Sequence, residues 1–197
     1  MKSLRYILLS WMMAAVGGAC DVASGVDPAL RSGPLVAQLE DLSSADVTDG
    51  VLEKLRTVGK QDDNRWTQFV AGARQACGGQ DPELLTVDRV GLELVDDRSS
   101  IVDLSELFAG SVDIVFSDDL NATTVTVASR LDVTGSGPVR FNSVAGDNRL
   151  LSMTPAMLTG DFSVGLRGAV NPEADAWSLT LKLPIEVRAF CSAPALP

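Results

Sequence analysis

An unbroken alternation of apolar and polar residues near the end of the chain constrains the fold more than any other feature. Between Trp177 and Cys191, eight apolar side chains fall on one face of a single strand, because successive side chains of a strand point to opposite faces. Pro184 falls on the other face and removes one backbone donor, so the strand is either at a sheet edge or bent there. A strand of about fifteen residues would be about 50 Å long, which predicts coiling or division into two segments.

The same two-residue period begins at Leu84 and predicts a mainly antiparallel sheet over residues 84–191. The clearest pair is 112–116 and 123–133, joined by a hairpin loop at 117–121. Further strands are predicted at 85–95, 139–144 and 162–170.

Three shorter stretches interrupt this regular pattern. The apolar phase slips near Asp88-Arg89, which predicts a bulge or bend. Residues 103–109 carry apolar side chains at helical spacing and predict one or two helical turns. Residues 148–160, with Pro155 inside, receive no assignment from the pattern.

Residues 34–79 show helical spacing instead and predict three short helices. The first begins at Pro34, whose missing N–H is harmless in a first turn. The second covers about 48–58, and the third covers 64–77 and ends at Gly78-Gly79. The predicted fold is therefore α+β, with N-terminal short helices packed on a curved, mainly antiparallel β-sheet. A β-sandwich with a helical N-terminal segment is the alternative.

Residues 1–19 have the layout of an export signal. Lys2 and Arg5 form a short positive region, and an apolar run over 6–16 follows. A helix of about eleven residues is about 16 Å long, too short to cross a hydrocarbon core of about 30 Å.

The end of this signal, Val16-Gly17-Gly18-Ala19-Cys20, resembles the lipobox of bacterial lipoproteins. In that family small residues precede a cysteine that is acylated and becomes the new N-terminus. The resemblance covers about twenty residues and implies lipidation of Cys20 and anchoring to a membrane. An ordinary secretory signal cut after Ala15 or Ala19 is the alternative. Residues 20–33 are rich in small and turn-forming types and are predicted to form a tether, which leaves 34–197 as a single domain.

The chain has three cysteines, an odd number for an exported protein. Acylation of Cys20 leaves Cys77 and Cys191, which can form one disulfide in an oxidising compartment. Cys77 ends the apolar stripe of the third predicted helix and Cys191 ends the apolar face of the last strand. The sequence therefore predicts a Cys77–Cys191 bridge between helix and sheet.

The residue types available restrict the chemistry. The chain has no histidine, so catalysis by Ser-His-Asp or Cys-His and histidine-ligated metals are excluded. Carboxylates are the abundant reactive type, and adjacent pairs occur in predicted turns at Asp62-Asp63, Asp96-Asp97 and Asp118-Asp119. The stretch 171–175 mimics alternating calcium ligands but lacks the glycine and the closing glutamate of such loops. We therefore predict no catalytic residues, no metal and no cofactor.

Charge restricts the partners. The chain has 16 basic and 26 acidic residues, and removal of the signal leaves a net charge of about −12. This balance argues against nucleic acid and anionic membrane surfaces as partners. We expect an exported lipoprotein of the cell envelope, periplasmic or on the outer face, with a non-catalytic binding or structural role. A carrier of an apolar ligand and a carboxylate-dependent glycan hydrolase are the alternatives.

Overall fold

A computed structural model of the chain describes residues 29–58, 64–95, 100–143 and 147–192. The predicted export signal, Cys20 and most of the predicted tether lie outside these residues. Ten strands, three α-helices and one turn of 3-10 helix at Ser44–Asp46 are present in the described part of the chain. The strands are β1 (Leu30–Arg31), β2 (Leu35–Ser43), β3 (Val47–Thr48), β4 (Val51–Thr57), β5 (Leu84–Leu94), β6 (Phe108–Asp118), β7 (Thr123–Leu131), β8 (Val139–Ser143), β9 (Phe162–Val170) and β10 (Ser178–Phe190). The helices are α1 (Asn64–Ala76), α2 (Leu104–Leu107) and α3 (Asp147–Thr159).

The strands form one antiparallel sheet in the order β1-β10-β5-β8-β7-β6-β9-β4-β3, with β2 also paired to β10. We call β1, β2, β10, β5 and β8 half A, and β7, β6, β9, β4 and β3 half B. The halves are joined by a short pairing of β7 with β8 at Ala128↔Ser143 and Ser129↔Asn142. A sheet-dominated fold is therefore confirmed.

The apolar faces of both halves and all three helices share one core. Trp66 of α1 packs against Phe162 of half B, with ring centroids 4.9 Å apart. The indole N–H of Trp66 donates to the carbonyl of Met157 in α3 at 2.9 Å. This bond satisfies a buried donor and ties the two helices together.

Two gaps in the sheet are each bridged by an arginine. The first gap lies between β2 and β4, which are close together without a ladder of paired residues. We call this gap the seam. Here the guanidinium of Arg56 donates to the carbonyl of Gln38. At the other, where β7 leaves β8, Nη1 of Arg130 donates to the carbonyl of Arg140 at 2.6 Å. A guanidinium can reach across such a gap and satisfy a carbonyl that the ladder leaves unpaired.

Two of the three predicted N-terminal helices are wrong, because residues 35–43 and 51–57 form β2 and β4. In β2, Asp41 has a positive φ of 54°, and the register with β10 shifts between Leu179 and Leu181. This irregularity inserts one residue between Leu39 and Leu42, so the buried positions mimic helical spacing. The third predicted helix is confirmed as α1.

In β4 the pattern misleads for a different reason. Lys54 and Arg56 are paired with core-facing Leu166 and Val164 of β9, whereas Leu55 is paired with Gly165 and is 39% exposed. Polar side chains can occupy core-facing positions here because β4 borders the seam. The expected alternation is therefore inverted over residues 54–56.

Several other elements predicted in the β segment are present in the structure. β6 and β7 pair antiparallel as a hairpin, and α2 supplies the predicted helical turn. The β5–β10 register passes from Arg89 to Val87 and skips Asp88, which confirms the bulge. Most of the stretch 148–160, which the pattern left unassigned, lies in α3.

Pro184 lies inside the sheet rather than at an edge. It pairs with Val36 of β2 on one side and faces Gly91 of β5 on the other. A Cβ built on Gly91 would lie 2.9 Å from Cγ of Pro184. The glycine therefore provides the space that the proline ring requires in the middle of a sheet.

Candidate functional site

The interior between the two halves is almost filled. The apolar cavity beside Trp66 has a volume of about 20 Å³ and is lined by residues of both halves, including Val36 and Val164. This volume is about that of one water molecule, whereas a site for a small organic ligand is several hundred Å³. In this conformation Trp66 and Phe69 serve as core residues.

The Asp118-Asp119 pair, predicted to be an adjacent pair in a turn, organises the β6–β7 hairpin. Asp118 is buried, and its carboxylate accepts hydrogen bonds from the backbone N–H groups of Leu120 and Asn121 and from the Asn121 amide. The side-chain bond from Asn121, then its backbone bond, lowers the pKa of Asp118 below the ordinary value. The carboxyl is therefore an ionised structural acceptor.

Asp119 takes part in a hydroxyl cluster at the same end of half B. The hydroxyl of Ser163 donates to Asp119 at 2.8 Å, and the hydroxyls of Ser163 and Thr57 are 3.1 Å apart. A serine nucleophile needs a positioned base that can take its proton, most often a histidine. This cluster joins β4, β9 and the hairpin, and it lacks the histidine of a hydrolase triad.

Two further carboxylates have similar structural roles. Asp103 accepts hydrogen bonds from the backbone N–H and hydroxyl of Ser105 and from the N–H of Gly135, and these bonds lower its pKa, with the Ser105 backbone bond the largest cause. Asp46 forms an ion pair with Lys54 at 2.9 Å, and this bond is the main cause of its lowered pKa. Asp103 caps α2, and Asp46 helps to close the seam.

The predicted disulfide is present in the structure. Cys77, just after α1, is bonded to Cys191, just after β10, with their Cα atoms 5.3 Å apart. Cys20, the predicted lipidation site, lies outside the described residues, as do the acidic pairs at 62–63 and 96–97.

The calcium-like stretch 171–175 is a loop between β9 and β10. The side-chain oxygen of Asn171 accepts a hydrogen bond from the N–H of Glu173 at 3.1 Å, which makes a local turn. Across the described residues, no group of three or more acidic or cysteine side chains is placed to hold a metal ion.

A polar concavity lies on the outer face of half A and was not predicted. This groove has a volume of about 240 Å³. Its floor is Gly91, whose register partner on β8 is Arg140. Pro184 and Glu186 from β10, Arg89 from β5, and Pro34 and Pro138 complete most of the lining. We call this the Gly91 groove.

The sequence offers one weak signal for this groove. Gly91 interrupts an apolar strand pattern, and such glycines often mark a close approach of other groups. The groove itself joins residues from β5, β8, β10 and the segment just before β2, which only the tertiary structure brings together.

No protein-family model matches this sequence, and no curated protein has significant sequence similarity to it. Of the helices in the ranges that the structure describes, none has the length and apolar character needed to span a bilayer.

Proposed function

We propose that this protein is an exported lipoprotein of the cell envelope that acts through binding or structural contacts and not through catalysis. The observation that carries the non-catalytic part is the state of its carboxylates. Asp46, Asp103 and Asp118 all have pKa values below the ordinary value because they accept structural hydrogen bonds. A general acid needs a pKa raised towards the working pH, so these shifts run in the opposite direction.

A glycan hydrolase would also need two carboxyl groups facing each other across a cleft. The carboxyls at the β6–β7 hairpin instead point into turns and hydroxyl contacts. The Gly91 groove contains one acidic residue, Glu186, among its lining residues. These placements favour the binding role over the hydrolase.

A carrier of an apolar ligand is the second candidate, and the seam is the observation that favours it. The small apolar cavity is lined by Leu35, Val36 and Ala37 of β2 and by Val58 just beyond β4. Separation of β2 from β4 would enlarge this cavity without breaking a ladder of backbone bonds. Mass spectrometry of gently purified protein tests this candidate, because a carrier retains lipid.

Membrane anchoring is tested by expression of the full chain in a bacterium that processes lipoproteins. We expect the wild type in the membrane fraction, with a mass that includes acyl chains on Cys20. The Cys20→Ser variant should be soluble, because each buried methylene contributes about 0.8 kcal/mol to membrane binding and all of these are lost. A soluble wild-type protein without acyl chains would contradict the anchor.

A further inference from the structure

The Gly91 groove carries local positive charge on a strongly acidic protein. Arg89 lies 3.7 Å from Glu186, so these two charges offset each other. Arg140 is exposed, and its guanidinium has no ion pair or hydrogen bond with the described residues. The groove therefore has a net charge of about +1, while the chain as a whole has a net charge of −10.

Apart from its charged residues, the Gly91 groove has apolar and rigid walls. Three prolines, Pro34, Pro138 and Pro184, come from different segments and surround a floor that has no side chain. Proline rings have few conformations, so a group packed among them costs little side-chain entropy. Gly91 cannot be replaced without loss of depth, because a Cβ there would also contact the Pro184 ring.

A guanidinium that no described residue pairs, beside an apolar depression, is suited to a specific ligand chemistry. Arginine binds a carboxylate through two parallel hydrogen bonds in one plane. A volume of about 240 Å³ exceeds what a carboxylate alone requires, so the rest of the groove can hold a compact apolar group next to it.

We propose that the Gly91 groove binds a small organic carboxylate, with Arg140 paired to the carboxylate and the prolines in contact with its apolar part. This inference rests on the proposed binding role and names its ligand class. Arg140 is held in place through its backbone, because Arg130 donates to its carbonyl oxygen. Glu186 opposes the ligand charge and limits the affinity.

The experiment is a titration of the exported, disulfide-bonded domain with benzoate, followed by amide chemical shifts. We expect the Gly91 and Arg140 signals to shift with benzoate and not with the neutral analogue benzamide. Arg140→Gln should weaken binding about ten-fold or more, because a charge-assisted pair is lost. Glu186→Gln should strengthen binding, because it leaves Arg89 without its opposing charge.

Lys182→Gln is the matched control. Lys182 lies on β10 next to the groove, paired with Glu93, and its replacement removes the same charge without touching the lining. Benzoate affinity should stay within about two-fold in this variant. Equal effects of Arg140→Gln and Lys182→Gln would show a general charge effect and overturn the site.

Two other outcomes would also overturn the proposal. One is an equal response to benzoate and benzamide, which would show that the groove does not recognise the carboxylate. The other is an equal response to benzoate and inorganic phosphate, which would show that the apolar walls do not contribute to binding. Membrane release of the Cys20→Ser variant is measured independently, so failure of the anchor and failure of this site are distinguishable.

Discussion

Aspartates at the ends of secondary structure elements hold several turns of this protein. Asp46, Asp103 and Asp118 each accept two or more hydrogen bonds, and each has a lowered pKa in the folded state. A lowered pKa means that the folded protein binds the proton less tightly than the unfolded chain does. The resulting stability is fully present above the unfolded value of about 3.9 and is lost as the pH falls through the lower folded value.

Asp103→Ala tests this role at one residue. Loss of the cap of α2 and of the bond to Gly135 should lower the free energy of unfolding by about 0.5 to 2 kcal/mol at pH 7. The difference from wild type should shrink as the pH falls below about 4, because the unfolded chain takes up the proton first and the folded carboxyl follows at a lower pH. Urea denaturation at several pH values measures both effects.

The control for this variant is Asp175→Ala, in the exposed loop before β10. Its effect should stay within about 0.5 kcal/mol. A stability difference for Asp103→Ala that is the same at pH 7 and pH 3 would contradict the assigned ionisation.

At the level of elements, the pairing of β4 with β9 depends on the absence of a side chain. Gly165 lies opposite Leu55, and a Cβ built on Gly165 would lie 1.8 Å from the carbonyl oxygen of Lys54. That neighbour is backbone and cannot move without a shift of the whole strand. The close approach also places Lys54 and Arg56 where they bridge the seam to β2 and its following turn.

Gly165→Ala should therefore destabilise the domain by about 1 to 3 kcal/mol or more. Hydrogen exchange should show that β4 and β3 lose protection before β5 and β10, because only half B is displaced. Gly33→Ala is the control, since its Cβ would meet no atom within 4 Å. Equal stability of the two variants would show that β4 can shift freely.

Over the whole molecule, the disulfide connects elements that are far apart in the chain. Cys77 and Cys191 are separated by 114 residues, so the bond closes a loop that contains most of the domain, from the end of α1 to the end of β10. It also fixes the end of α1 to the end of β10, the strand that pairs with β1, β2 and β5. The helix and half A are thus held together covalently as well as through the core.

Replacement of both cysteines by serine should lower the free energy of unfolding by about 4 to 5 kcal/mol, the chain-entropy value for a loop of this length. Urea denaturation of protein exported by its host measures this loss. Reductant should destabilise the wild type and leave the double variant unchanged. A wild type whose stability does not respond to reductant would contradict the role of the bridge.

The local sequence pattern alone predicted most strands of half A and half B. The strands over 84–191 follow from strict alternation, because core and solvent select opposite faces of each strand. The bulge at Asp88 followed from a slip in the same pattern, and the cysteine pairing followed from the ends of two apolar stripes. Each of these inferences uses only the spacing of apolar residues within a single strand or helix.

Tertiary structure decided the features that depend on neighbours distant in the chain. β2 and β4 were mistaken for helices because a bulge at Asp41 and the open seam beside β4 altered their apolar spacing. The Gly91 groove and the bridging arginines exist only where separate strands meet. The sequence by itself determined the alternating strands and the disulfide. Burial beside a bulge, a seam or a groove is fixed instead by the partner strand, which local sequence does not encode.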